Sequence, residues 1–111
     1  MLILTEKLTL EELRSIAKNI FGEMVKGVVD VDKGILAIDA ELHADIEAEL
    51  LQQGSAQASL WGINLYPDED DFIEFDSMIN IRPSQNNRSR SVENEAIRSK
   101  IISIVNARIS I

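Results

Sequence analysis

Two periods divide this chain. Leu10, Leu13, Ile16, Ala17 and Ile20 recur three and four apart, the spacing of one helical face. Thr9-Leu10-Glu11-Glu12 ahead of them is a capping box, with Leu8 and Leu13 placed as a hydrophobic staple. Gly22 stands where a helix closes in the left-handed conformation. The pattern predicts a helix over 10–21. Leu2–Leu4 reads as a short edge strand. Met24–Val31 and Ile35–Leu42 are β-rich runs of equal length around Asp32-Lys33-Gly34, which predicts a hairpin through a type I turn with a glycine bulge. DIEAELLQQG reads as a second helix. Asp45 is its N-cap (Asp39 offers an earlier start), Ile46, Leu50 and Leu51 turn inward, and Gly54 ends it.

The C-terminal half begins with period two. LWGINLYP places Trp61, Ile63 and Leu65 on one face and Gly62, Asn64 and Tyr66 on the other. FIEFDSMINIRP aligns Ile73, Phe75, Ile79 and Ile81, predicting a long strand kinked or bulged near Ser77. Val92–Ile109 reads as a helix capped by Ser91, with Ile97, Ile101, Ile104, Val105 and Ile109 inward. The order is (β)αββαββα. It predicts one α+β domain over 1–111, with an antiparallel sheet of four to five strands from two hairpins and helices packed on one face. The other face is then solvent-exposed or a dimer surface, and a homo-oligomer is expected.

Composition narrows the chemistry. With no cysteine, disulfides, thiolate metal sites and a cysteine nucleophile are excluded. No apolar run approaches the roughly 20 residues of a membrane span. The start, MLILTEKLTLEEL, lacks the basic segment and apolar run of a secretory signal, so a cytoplasmic protein is expected. Net charge is −8, divided as −12 over residues 1–81 and +4 over 82–111. The acidic majority argues against a nucleic-acid binder. The basic tail leaves room for a local anion site.

Three constellations carry candidate chemistry. The non-core side of the second hairpin holds Asn64, Tyr66, Glu74, Asp76, Asn80 and Arg82. That set reads first as a solvated sheet face. Asn64 and Asn80 call for a reason, since asparagine is depleted in strands, and cross-strand hydrogen bonding would suffice. Glu41, His43 and Asp45 alternate onto one side of an extended chain. That arrangement suits a divalent metal or a general base, against the plainer reading of a cap at Asp45 and a packed histidine. No resident metal or cofactor is expected. Arg82, Arg88 and Arg90, with Ser84, Asn86 and Asn87, precede a helix start and are suited to a phosphate or carboxylate. The glycines of a nucleotide loop are absent, and the protein's own acids are competing partners. Trp61 reads as core.

The stretches ELHAD, LWGINLYPD and FIEFDSMINIRPSQNNRSR, in this order and spacing, resemble a small family of uncharacterised bacterial proteins, a domain of unknown function. The resemblance spans nearly the whole chain and implies a single bacterial domain. It brings no catalytic residues.

These observations point to a binding or interaction module for an anionic small molecule or an acidic partner. Arg82, Arg88 and Arg90 neutralise charge in this reading, and Asn64, Asn80, Asn86 and Asn87 orient the ligand. A second reading is a hydrolase acting on a phosphorylated or nucleotide-like substrate, with His43 as base beside Asp45 or Asp76. A third is a structural accessory protein.

Overall fold

The structure, a computed structural model, describes residues 1–110. After β1 (Leu2–Ile3) and β2 (Leu8–Thr9) comes α1 (Leu10–Ile20), then β3 (Val25–Asp30), β4 (Ile35–Ile38) and α2 (His43–Gln52). β5 (Leu60–Leu65) and β6 (Ile73–Glu74) follow, and α3 (Glu95–Arg108) and β7 (Ile109–Ser110) end the described chain. β1, β4, β3, β5 and β6 lie in that order in one antiparallel sheet. β2 and β7 pair in parallel and tie the start of α1 to the end of α3. The α+β class and the order of helices and strands are as the periodicity predicts.

Local signals set the early elements. Thr9 Oγ1 accepts the Glu12 N–H at 3.1 Å, and the Glu12 carboxylate accepts the Thr9 N–H at 3.2 Å. Gly22, at φ +93°, closes α1 by donating its N–H to the Ala17 carbonyl. Between β3 and β4, buried Asp30 accepts the backbone N–H groups of Asp32 and Lys33 and the Ser55 hydroxyl. That leaves a four-residue loop, Val31 to Gly34, in place of the shorter bulged turn.

The helices are divided between both faces of the sheet, not gathered on one. Leu13 and Ala17 of α1 and Ile101 and Val105 of α3 pack with Val25, Val29, Leu36, Ile38, Trp61, Ile63 and Leu65. Ile46 and Leu50 of α2 pack on the opposite face, against Val28, Ala37 and Leu60. β3 shows the reason: its two sides both carry apolar residues, so both must be covered. The face expected to be open or dimeric is therefore occupied by the protein's own helix.

Several predicted elements are shorter: β3 covers Val25–Asp30 of the run Met24–Val31, and β4 ends at Ile38, with Asp39 at φ +72°, instead of reaching Leu42. The long strand after Phe72 stops at Glu74, and a single 3₁₀ turn, Met78–Asn80, follows with Ser77 as its cap. α3 starts at Glu95 with Asn94 as cap instead of Ser91, and Asn94 Oδ1 accepts the Ile97 N–H at 3.0 Å. α2 is preceded by Leu42, not capped by Asp45, and Leu51 is exposed.

The turn at Met78–Asn80 lies against Gly62 of β5. A β-carbon on Gly62 would sit 2.5 Å from Ser77 Cβ and 2.6 Å from Ser77 Oγ. Gly62→Ala is expected to cost about 1–3 kcal/mol by overpacking. Urea unfolding of Gly62→Ala, Ser77→Gly and the double variant checks this. A positive coupling, with the double variant recovering part of the Gly62→Ala loss, is the expected result.

Candidate functional site

The polar residues beside β5 are held by its edge. β6 ends too early to pair with the rest of β5, so the backbone of Gly62 needs other partners. Asn80, fully buried, supplies them: its Oδ1 accepts the Gly62 N–H at 2.8 Å and its Nδ2 donates to the Gly62 carbonyl at 2.9 Å. The same Nδ2 donates to the Arg90 carbonyl at 2.9 Å. One carboxamide thus substitutes for a strand residue. Asn87, also buried, donates to the carbonyls of Asn80, Ser89 and Ser91 and accepts the Glu93 N–H. Asn64 donates to Glu74 at 2.8 Å and to the Asp76 carbonyl at 3.2 Å, while its Oδ1 is buried without a partner. Tyr66 donates to the same Glu74 oxygen, and burial followed by the Glu74 charge raises its pKa.

The arginines have different fates. Arg82 donates to the carbonyls of Ile79 and Leu60 and lies 4.5 Å above the ring of Trp61, which is core. Burial lowers the Arg82 pKa. Arg90 pairs with Asp76, its Nη2 donating to one carboxylate oxygen at 3.1 Å and its Nε lying 2.8 Å from the other. Arg88 is exposed, and its side chain makes no hydrogen bond among the described residues. Its backbone N–H joins that of Ser89 and the Ser89 hydroxyl on one oxygen of Glu93, at 2.8, 2.9 and 2.9 Å. The Ser89 hydroxyl, then the two backbone groups, lower the Glu93 pKa. This is an anion-binding nest, and a carboxylate of the same chain fills it. Asn86 takes a left-handed conformation at the loop's tip and stays exposed.

His43 lies elsewhere than the spacing of Glu41, His43 and Asp45 suggests. Its ring is buried while Glu41 and Asp45 are exposed. Among the described residues no group of three or more metal-ligating side chains comes together. His43 instead meets the residues that follow β6. Its Nε2 bonds the Ile63 carbonyl at 2.8 Å, so this nitrogen carries the proton and Nδ1 is left as an acceptor. Burial lowers its pKa, more than the Ile63 carbonyl raises it; Lys26 adds to the lowering, and Asp76 and Asn64 oppose it. His43 lines a pocket of about 150 Å³ with Lys26, Leu42, Ala44, Ser77, Met78, Ile79 and Arg90. Of the sequence candidates, the structure thus brings His43, Arg90 and its partner Asp76 to one place. Arg82, Asn86, Asn87 and Arg88 are not among the pocket's residues. Lys26, Leu42, Ser77 and Met78 are not among the candidate site residues of the sequence, and only the fold places them here.

The pocket sits at the N-terminus of α2. Leu42 provides no side-chain cap, so the first N–H groups of the helix have no side-chain acceptor. No carboxylate lines the pocket. A larger concavity of about 450 Å³ has the opposite character, with Glu23, Glu69, Asp71 and Glu74 around Tyr66 and Ile73. No helix among the described residues is long and apolar enough to cross a membrane.

A family profile described as "Protein of unknown function (DUF5674)" matches residues 2–108, so the chain belongs to that family. No curated protein and no solved structure matches it.

His43 gives the fold a pH dependence. An unfolded imidazole titrates near 6.5, and the folded one titrates lower because burial disfavours its charge. Between those two values the unfolded chain binds more protons. Stability is therefore full above the unfolded pKa and declines as pH falls through the folded one. His43 is the only histidine. The urea midpoint is expected to fall between about pH 7.5 and about pH 5.5, and His43→Gln is expected to flatten that slope. An unchanged slope in the variant would refute the assignment.

Proposed function

We propose that this protein is a small-anion binding module and that its site is the pocket at the start of α2. One observation carries the reading. In a chain of net charge −8, this pocket gathers Lys26, Arg90 and His43 at an uncapped helix N-terminus without a single lining carboxylate. A helix N-terminus presents unpaired N–H groups and partial positive charge, which favour an anion. The loop of arginines contributes Arg90 to this site. The rest of that loop supports the fold, through Arg82 on the sheet edge and through the nest around Glu93.

A hydrolase would draw on the same His43, and the observations support it less. Asp76, the carboxylate that raises the His43 pKa, is engaged by Arg90, and the imidazole proton is engaged by the Ile63 carbonyl.

Thermal denaturation with phosphate, sulfate and acetate, at ionic strength matched with chloride, tests the proposal. An anion at about 100 times its Kd adds about 2.7 kcal/mol, or several degrees in a domain of this size. The shift is expected to persist in Arg88→Ala and to be lost in Lys26→Gln. Loss in Arg88→Ala instead would move the site to the exposed loop, and no shift with any anion would end the proposal.

A further inference from the structure

We propose that a second pocket, between the arginine-rich loop and the start of α3, binds a neutral polyhydroxy ligand, a sugar of monosaccharide size. This pocket has a volume of about 310 Å³ and shares no lining residue with the one at α2. Small-molecule sites begin at about that size, near 300 Å³. Trp61 carries the first argument. It is 2% exposed yet lines the pocket, whose other walls include the exposed residues Asn86, Glu93 and Asn94. The pocket therefore runs from the surface inward to a core side chain. The indole Nε1–H is buried and has no acceptor among the described residues. A buried tryptophan N–H ordinarily has a partner, and leaving it bare costs stability. An occupant of the pocket that brings an acceptor supplies one.

The remaining polar atoms set the chemistry. Asn94 caps α3 through Oδ1, which leaves its Nδ2 hydrogens free. Glu93 receives the N–H groups of Arg88 and Ser89 and the Ser89 hydroxyl on Oε2, which leaves Oε1 as an acceptor on a fixed carboxylate. The Asn86 side chain makes no hydrogen bond among the described residues, so it offers both a donor and an acceptor. Donors and acceptors are thus mixed around one space. A phosphate dianion only accepts and an ammonium only donates, whereas a hydroxyl does both. The lining holds one carboxylate and no lysine, arginine or histidine, which disfavours an anion further.

Stacking separates a sugar from a nucleobase, whose edges would also pair with amides. A base binds on an open aromatic face. The Trp61 ring lies in the core with the Arg82 guanidinium 4.5 Å from its centroid, so it presents no such face. Ile97 is the one aliphatic side chain of the lining, and it suits the C–H side of a sugar ring. The amides of Gln85 and buried Asn87 complete the walls. Both are already bonded within the chain, Gln85 to Arg82 and to the Ala58 carbonyl, Asn87 to Asn80, Ser91 and Glu93. The walls are therefore set before a ligand arrives, which lowers the cost of ordering them on binding.

Trp61 is the only tryptophan, so its indole N–H gives a single resonance in the proton–nitrogen correlation spectrum of the full chain. Titration with glucose, galactose, mannose and ribose, beside adenine and phosphate, provides the test. At least one sugar is expected to move that resonance saturably, while adenine and phosphate leave it in place. Asn86→Gly keeps the left-handed backbone and removes the amide. Asn94→Asp keeps the capping oxygen and removes the Nδ2 donor. Both variants are expected to stay folded and to weaken the sugar by about three- to tenfold, the scale of one neutral hydrogen bond. A shift with adenine alone would make a base the occupant, and a shift with phosphate alone an anion; either overturns the proposal. A sugar shift unchanged in both variants would place binding elsewhere and overturn it as well. An indole resonance that no probe moves would leave water as the partner of Trp61 and end the proposal.

Discussion

The pairing of one side-chain amide with one backbone residue, Asn80 on Gly62, organises the C-terminal half of this protein. β5 is a central strand whose outer edge is only partly covered, because β6 contains two residues. A buried strand edge left bare would strand several backbone donors and acceptors, each at a cost of about 1–3 kcal/mol. The chain meets this demand with side chains. Asn80 takes both backbone groups of Gly62, and Arg82 takes the carbonyl of Leu60. Gly62 is the necessary partner because any side chain there would collide with Ser77. The residue that permits the approach and the residue that completes the hydrogen bonds are therefore one device. Its product is the turn from Ser77 to Asn80, which forms one wall of the pocket against His43.

That device also explains the arginine-rich stretch. A loop with little apolar surface cannot be fixed by burial alone, so it is fixed by polar contacts. Asn87 gathers three carbonyls, Arg82 reaches back to the sheet, and Glu93 draws two backbone N–H groups and a hydroxyl onto one oxygen. The chemistry suited to an external anion is present, and it meets the protein's own carboxylate. At the start of α2, in contrast, no carboxylate lines the pocket.

How much of this was legible follows from the range of each interaction. The capping box at Thr9, the helix stop at Gly22 and the pairing of the two runs around Asp32-Lys33-Gly34 depend on residues a few positions apart and stand as the sequence predicts, although the second run leaves the sheet after Ile38 and the turn between them is a four-residue loop. The α+β class follows from them. The strand predicted through Ile81 failed because its alternation of apolar residues is real but serves a turn. Ile79 meets the α2 side of the sheet while Ile81 is exposed. The clue was present in Asn64 and Asn80, whose place in a strand demanded hydrogen-bonding partners. What no spacing could reveal was that the partner of Asn80 is a backbone eighteen residues away. The face assignment failed for a similar reason: Val28 and Ala37 look like ordinary strand residues until Ile46 and Leu50 of α2 are seen to cover them. The site itself joins Lys26 of β3, His43 of α2 and Arg90 of the loop, and no linear motif connects positions so far apart.

The same geometry links stability to binding. His43 is held by the Ile63 carbonyl on one side, and Asn64 Oδ1 is buried and unpartnered. Buried polar atoms without partners are uncommon in folded proteins, and they concentrate where structure yields to function. Filling this corner with apolar side chains would remove the orphaned acceptor and permit a closer fit of α2 on the sheet. It would also remove a surface at which this acidic protein presents Lys26 and an uncapped helix start. The sequence retains polar residues at a cost to the core and leaves Met78 and Leu42 exposed at the same place. The buried imidazole of His43 and the exposed side chains of Met78 and Leu42 both depart from what folding alone favours, and all three line this pocket.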